Sequence, residues 1–416
     1  MSCKGVAPFP PLAILNTCTP GAWKEVGGIP LVARSLFHLR ALGVTRVILL
    51  WDAGHPVASL DKWRGGIQLE AREVTDGLAA ALRSIAALGD CFLYVDASHL
   101  IDPRLFQALL SASRPTLCHK DAADREERTI RAGLLHKEDL VLWANRGASV
   151  VADRAASLLP GDIDPFRPDV RGPQTPCFLE IRTENEALQA THLIIRQQQK
   201  QVMDFPARYI HPPFENALTF SLLKTPVSPN GVTLMVAVLA FLVTWLFWYG
   251  HFVAGAVLAL VVSILDGVDG KLARTKLQFS RLGEHEDVID YFYENSWYLA
   301  LGVSLSSLTV SHFPLFCAAA LVIADTADNI FYTLAGKWYG KSIDLFSRFD
   351  RSFRCVAGRR NIYATLFLVG FPLGYLSQTF VAATFWAVAT ATIHGFRLRW
   401  YGRARNRKPV EGKESF

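Results

Sequence analysis

The chain has 416 residues and a formal net charge of +6, from 43 Lys+Arg against 37 Asp+Glu; that length allows two to four domains at roughly 100–200 residues each, and so slight a basic excess excludes a nucleic-acid coat protein, so no nucleic-acid partner is expected. Apolar residues make up 51% and charged residues 19%, against about 45–50% and about 25% in soluble domains, a shift too large for an all-soluble chain and too small for an all-membrane one. With 26 Phe, 11 Tyr and 10 Trp it can bury a large core, which excludes disorder as its main state.

In chain order, the N-terminal stretch does not read as a signal peptide, because Pro8, Pro10 and Pro11 interrupt its apolar run. Apolar runs at 12–16, 46–51, 91–96 and 178–182 predict strands, and 30–42, 75–88 and 184–199 predict helices. Strands alternating with helices argue for a largely parallel α/β sheet over residues 1–200. Seven scattered cysteines, with no CxxC pair, give neither a zinc site nor a disulfide framework and read as reduced thiols.

Near residue 205 the composition changes. Residues 231–265 contain no Asp, Glu, Lys or Arg over 35 positions. A membrane-spanning helix needs about 20 residues, so this run predicts two spans turning at Tyr249-Gly250-His251. Further spans are predicted at about 289–310, 314–338, 361–379 and 380–398, giving an all-α bundle of six over 205–416. Lys and Arg gather after spans two, four and six and are scarce after one, three and five. That places both termini on the cytoplasmic side of a cytoplasmic or inner membrane. Just before span one, Phe214, Leu218 and Leu222 fall on one face. This segment is either a helix lying along the bilayer surface or a plain linker.

Carboxylates cluster at 266–293. Asp266 and Asp269 lie three apart at the end of span two, and Glu286 or Asp287 shares a face with Asp290 at the start of span three. Acids at membrane depth are costly and need partners. Converging carboxylates make a hard-oxygen site for Mg²⁺ or Mn²⁺, and such ions suit a phosphate substrate; structural ion pairing is the alternative. Gly267 and Gly270 either let a ligand approach the backbone or serve helix contact.

The stretch Asp266–Tyr293 resembles the signature of the CDP-alcohol phosphotransferase (phosphatidyltransferase) family, D-x2-D-G-x2-A-R-x8-G-x3-D-x3-D. Asp266, Asp269, Gly270, Ala273, Arg274 and Gly283 match in identity and spacing, and Pro229-Asn230-Gly231-Val232-Thr233 resembles the family's Pro-Asn-x-x-Thr segment. After Gly283 the family spacing puts acids at 287 and 291, but position 291 is Tyr. A one-residue deletion gives Glu286 and Asp290 instead, leaving Glu286 and Asp287 as alternatives. The resemblance implies a membrane enzyme in which Asp266, Asp269, Glu286 or Asp287, and Asp290 hold the metal. It implies that Asp290 is the base, and that Asn230, Thr233, Gly270, Ala273 and Arg274 bind the nucleotide of a CDP-alcohol donor such as CDP-diacylglycerol. It also implies a homodimer. Arg354, Arg359 and Arg360 either bind the phosphate of a hydroxyl acceptor or form a basic loop against anionic lipid.

The first half resembles sugar-nucleotide and inositol-phosphate cytidylyltransferases through Gly28-Ile29-Pro30-Leu31 and Gly43-Val44. The segment 16–25 keeps only Gly21 where a phosphate loop needs several glycines. Ser98 stands at a metal-binding Asp position, with Asp96 two residues before it, and Arg182 stands at the second metal-ligand position. These departures imply a degenerate, inactive nucleotidyltransferase-like domain. The domain order resembles the fused inositol-phosphate cytidylyltransferase/di-myo-inositol-phosphate phosphate synthase family, which implies a bifunctional alternative. A non-catalytic nucleotide-binding membrane scaffold is the third reading.

Overall fold

The computed structural model describes residues 12–52, 57–279 and 286–407, with the side chains of 286–287 and 405–407 outside the described set. Two compact units emerge: residues up to 167 together with 173–197, and residues 168–172 together with 198 onward.

The first unit is built on a seven-stranded sheet. In spatial order its strands are Ala156–Leu158, Thr116–Cys118, Ala132–His136, Cys91–Asp96, Leu12–Asn16, Arg46–Trp51 and Gln68–Glu73. The expectation of a mainly parallel sheet holds for four of the six pairings; Ala132–His136 runs antiparallel to both neighbours. Leu12–Asn16 is buried along its whole length, as a central strand covered on both faces must be. The predicted helices form as Leu31–Ala41, Leu78–Ala86 and Glu184–Gln197. The core gathers Ile14, Ile48, Leu82, Phe92 and Tyr94, among others.

Gly21, read from sequence as the remnant of a phosphate loop, has a packing role. A Cβ there would lie 1.6 Å from the Ile181 carbonyl oxygen. Because that contact is backbone, nothing nearby can rotate away. Gly21→Ala should therefore destabilise this unit by about 1–3 kcal/mol, the usual cost of overpacking. Thermal unfolding of the full chain checks this: a melting temperature unchanged for the transition of this unit would refute it.

The second unit is helical. Its principal helices are Pro229–Trp248, Phe252–Lys276, Glu286–Thr309, Phe313–Tyr339, Arg360–Gly370 and Leu376–Arg407. The first turn falls where the sequence predicts, with Gly250 at φ +76°, a backbone region glycine enters freely. Among the described residues four helices are long and apolar enough to cross a membrane: Pro229–Trp248, Phe252–Lys276, Phe313–Tyr339 and Leu376–Ala404. On the first of these Leu234, Val238, Phe241 and Trp245 point outward and exposed, the pattern of a surface facing hydrocarbon rather than water.

The last two predicted spans divide differently from expectation. The break falls at 371–375 instead of 379–380, leaving a helix of 11 residues followed by one of 32. Pro372 lacks the N–H a continuing helix needs, and Gly374 takes φ +81°. At ~1.5 Å per residue the 11-residue helix Arg360–Gly370 reaches only about 16 Å, short of the ~30 Å hydrocarbon core. Glu286–Thr309 has 24 residues, but its first turns carry Asp287, Asp290 and Glu294.

Before the first span, the chain forms helix His211–Leu223. Its polarity is inverted. His211, Glu215 and Thr219 are buried, while Phe214 and Leu218 are exposed. A water-facing helix would show the opposite arrangement, so the geometry favours the surface-helix reading over the linker.

Candidate functional site

The first part of the signature, with Asp266 and Asp269, forms the last turns of a helix that runs unbroken from Phe252 to Lys276, as their expected place at the end of span two implies. Asp266 and Asp269 therefore project from rigid helix. Asp269 is buried, accepts a 2.7 Å hydrogen bond from the Thr233 hydroxyl and is also bonded by the Gly270 N–H at 2.6 Å. Thr233, expected on the nucleotide side, thus fixes a carboxylate of the cluster. Its helix begins with Ser228 as cap, the Ser228 hydroxyl accepting from Gly231 N at 3.1 Å, a standard way to satisfy a free helix-end amide. Asn230 is exposed on that first turn. Lys276 donates to the carbonyls of Thr225 and Val227 at 3.0 Å and so ties the end of the signature helix to the start of this one.

A cavity of about 550 Å³ brings Asp266 and Asp290 together with Arg354, Arg359 and Arg360. The Arg360 guanidinium donates to Asp266 and to the Tyr293 hydroxyl, and lies 3.6 Å from Asp290 and 3.0 Å from Glu294. Arg359 is 3.5 Å from Asp328 and stacks over the Tyr332 ring at 4.4 Å. Asp328 is bonded in turn by His394. Arg354 is 3.5 Å from Asp204 and 3.8 Å from Asp344. Each arginine is thus oriented by a carboxylate. Yet Arg354 Nε and Nη1, Arg359 Nε and Arg360 Nε are buried without hydrogen-bond partners. Buried N–H groups of this kind are costly unless something accepts from them.

Sequence reasoning missed several members of this cavity. Glu294 follows Asp290 by one turn, and the i,i+4 spacing is a signal that could have found it. Asp204, Arg171 and Lys200 reach the cavity from outside the helices, and no pattern in the sequence points to them. Ala273 and Arg274 are half-buried, and Arg274 donates to the Gln198 carbonyl at 3.5 Å. A Cβ on Gly270 would meet the Arg274 guanidinium at 3.3 Å, whereas one on Gly267 would meet the Glu215 carboxylate at 2.6 Å. The space at Gly267 thus serves helix contact rather than a ligand. Glu215 is itself paired with Lys271 at 2.8 Å, both side chains 3% exposed. Burial pushes the Glu215 carboxyl above its ordinary range even against the pull of Lys271. Burial likewise holds His211 below its usual value.

Gly283 and the side chains of Glu286 and Asp287 lie outside the described residues, as does His285. Among the described residues no group of three or more His, Cys, Asp or Glu forms a ready metal cluster. Asp266 Oδ1 is nevertheless a buried acceptor without a partner. That oxygen is a hard donor of the kind Mg²⁺ or Mn²⁺ takes, and Asp290 lines the same cavity.

In the first unit, Asp96 accepts from the Thr19 hydroxyl at 2.8 Å and from the Ser98 N–H and hydroxyl at 3.0 and 2.8 Å. Arg182 donates twice to Glu180, at 2.7 and 2.9 Å. Desolvation raises the Glu180 carboxyl, but Arg182 and Arg131 outweigh it and hold the group below its ordinary range. A cavity of about 440 Å³ beside them is lined by His99, Lys120, Arg131 and Glu180, among others. Arg131 there is already engaged by Asp124, Glu127 and Glu180 at 3.2, 2.7 and 3.2 Å.

The helices that carry Asp266, Asp269, Asp290 and Arg360 fall within a segment that matches a known family. Residues 226–394 match the family model for CDP-alcohol phosphatidyltransferase. Over 125 residues, 30% of this chain, the sequence is 31% identical to the bifunctional IPC transferase and DIPP synthase of Thermococcus kodakarensis, spanning 28% of that protein's length. Among solved structures, the chain resembles the Mycobacterium tuberculosis phosphatidylinositol phosphate synthase with CDP-DAG bound. That match has TM-score 0.37 and 18% identity, covering 45% of this chain and 94% of the other. It also resembles the 4-diphosphocytidyl-2C-methyl-D-erythritol synthase of Anaerococcus prevotii, with TM-score 0.34 and 11% identity, covering 45% of this chain and 98% of the other.

Proposed function

We propose that this chain is an integral membrane transferase that moves a substituted phosphate from a CDP-alcohol to an acceptor hydroxyl and releases CMP. The observation that carries the reading is the single cavity in which Asp266 and Asp290 face buried guanidinium N–H groups that lack acceptors. Carboxylates interleaved with guanidinium groups that keep unused N–H donors suit a substrate with a phosphorylated end and a reacting hydroxyl. Asp266, Asp269 and Asp290, with Glu286 or Asp287, would hold Mg²⁺ or Mn²⁺, which would neutralise diphosphate charge when bound. Asp290 takes the proton of the acceptor hydroxyl. The acceptor oxygen bonds to the β-phosphorus, and the bond from that phosphorus to the CMP oxygen breaks. Arg354 and Arg359 hold the acceptor's phosphate, while Arg360, expected beside them, sits among Asp266, Asp290 and Glu294 and orients those carboxylates. Asn230, Gly270, Ala273 and Arg274 line the nucleotide side. The membrane bundle has both termini cytoplasmic, following the Lys/Arg distribution, with the short helix Arg360–Gly370 entering it only part-way, and the chain works as a homodimer.

The first unit, in this reading, has lost cytidylyl transfer. Gly21 is committed to packing against Ile181, Asp96 to Thr19 and Ser98, and Arg182 to Glu180. A cation at position 182 repels the cation a triphosphate requires. The bifunctional alternative draws on the name of the Thermococcus relative. One assay separates the two. The full chain in lipid nanodiscs is given Mg²⁺ and either a ready-made CDP-alcohol with phosphorylated polyols, or CTP with the same polyols. We expect CMP and a phosphodiester product in the first arm and no pyrophosphate in the second. Pyrophosphate release dependent on the polyol phosphate would establish the bifunctional reading, and no CMP under any pairing would leave the scaffold.

A further inference from the structure

Helix His211–Leu223 does more than rest on the bundle. Its buried face places Glu215 against Lys271, 2.8 Å apart with both side chains 3% exposed. Lys271 also donates to Asn216 Oδ1 at 2.7 Å, so two successive residues of the surface helix grip one ammonium. Lys271 lies two residues after Asp269 and five after Asp266 on the same unbroken helix. On that helix Gly267, between the two aspartates, supplies the room Glu215 occupies: a Cβ there would sit 2.6 Å from the carboxylate carbon and one of its oxygens. A signature position without a side chain, a buried carboxylate filling the gap, and a buried ammonium holding it form one fitted joint. The outer face of the same helix exposes Phe214 and Leu218.

We propose that Glu215 and Lys271 are positioning residues: their ion pair docks the surface helix onto the signature helix and fixes the rotation at which Asp266 and Asp269 meet the cavity. The inference rests on the transferase reading for what those aspartates do. A helix can turn about its axis unless a contact off the axis resists. The helix's apolar neighbours permit rotation far more readily than an ion pair in low dielectric does, because separating such a pair strands a buried charge. The joint therefore sets aspartate geometry without touching substrate.

The test uses the full chain in nanodiscs with Glu215→Gln, Lys271→Met, Gly267→Ala, and the charge exchange Glu215→Lys with Lys271→Glu. Mn²⁺ binding is titrated by electron paramagnetic resonance, and kcat and KM for each substrate are measured. Loss of an outer partner that orients metal ligands typically weakens metal binding about 10–100-fold. Each single variant should weaken Mn²⁺ binding by at least about tenfold and lower kcat, with the KM for acceptor unchanged. The exchange should recover Mn²⁺ binding to within a few-fold of the unmodified chain. Folded single variants that keep the original Mn²⁺ affinity and kcat would overturn the proposal. So would an exchange that binds Mn²⁺ no better than the singles. Should a single variant not fold, Gly267→Ala and the exchange decide between the same two outcomes. Failure of the transferase reading looks different: the unmodified chain then releases no CMP and binds no Mn²⁺.

Discussion

Replacing Asp266 or Asp269 with Ala should abolish CMP release while leaving the protein folded in detergent. A metal that neutralises transferring phosphate contributes several kcal/mol to transition-state stabilisation. At about 1.4 kcal/mol per tenfold, that corresponds to a loss of about three orders of magnitude or more. The two variants should differ in one respect. Asp269 is held by Thr233 and Gly270 and stands buried in the helix packing, so its loss also leaves the Thr233 hydroxyl without its acid. Asp266 is bonded by Arg360 and keeps one oxygen unpartnered, so its loss leaves Arg360 to Asp290, Glu294 and Tyr293. Retained turnover in either variant with Mg²⁺ limiting would remove the metal assignment. Thr233→Val should reproduce part of the Asp269 loss, because it leaves the carboxylate present but unanchored.

Much of this arrangement is legible in the sequence, for physical reasons specific to each element. A charge-free run of 35 residues has the length for two spans, and the glycine at position 250 marks where the two helices turn. Strand Leu12–Asn16 is recognisable because a buried central strand is apolar throughout. The signature positions share a helix face by spacing alone. What stays hidden is contact between residues distant in sequence. Glu215 and Lys271 lie in different helices, and nothing local in either segment names the other. Read alone, the pattern of Phe214 and Leu218 shows an apolar face but not that the opposite, polar face is the buried one. Sequence proximity groups Arg360 with Arg354 and Arg359 as a phosphate ligand. The structure sets its guanidinium among Asp266, Asp290 and Glu294, a place that depends on how the short helix Arg360–Gly370 packs. The boundary at 371–375 is signalled by Pro372 and Gly374, but apolar continuity from Ile362 to Phe371 masks it.

Asp290→Asn should lower turnover by about two to four orders of magnitude, the usual contribution of a general base, with donor binding largely kept. The substitution preserves shape and removes the ability to accept a proton. Asp290 lines the cavity and lies 3.6 Å from Arg360 Nη1, which is compatible with the proposed role as base. Glu294, one turn on and 3.0 Å from Arg360, is the competing carboxylate; Glu294→Gln should leave most of the turnover if Asp290 is the base. The family spacing would instead put the last acid at position 291, but Tyr291 pairs its hydroxyl with Thr326 at 2.8 Å and carries no carboxylate. The remaining ligand separates through Glu286→Gln and Asp287→Asn. With a deletion after Gly283, the first should be severe and the second mild. A severe loss from Asp287→Asn alone would restore the undeleted spacing for that ligand, and full activity in Asp290→Asn with loss in Glu294→Gln would move the base one turn along the helix.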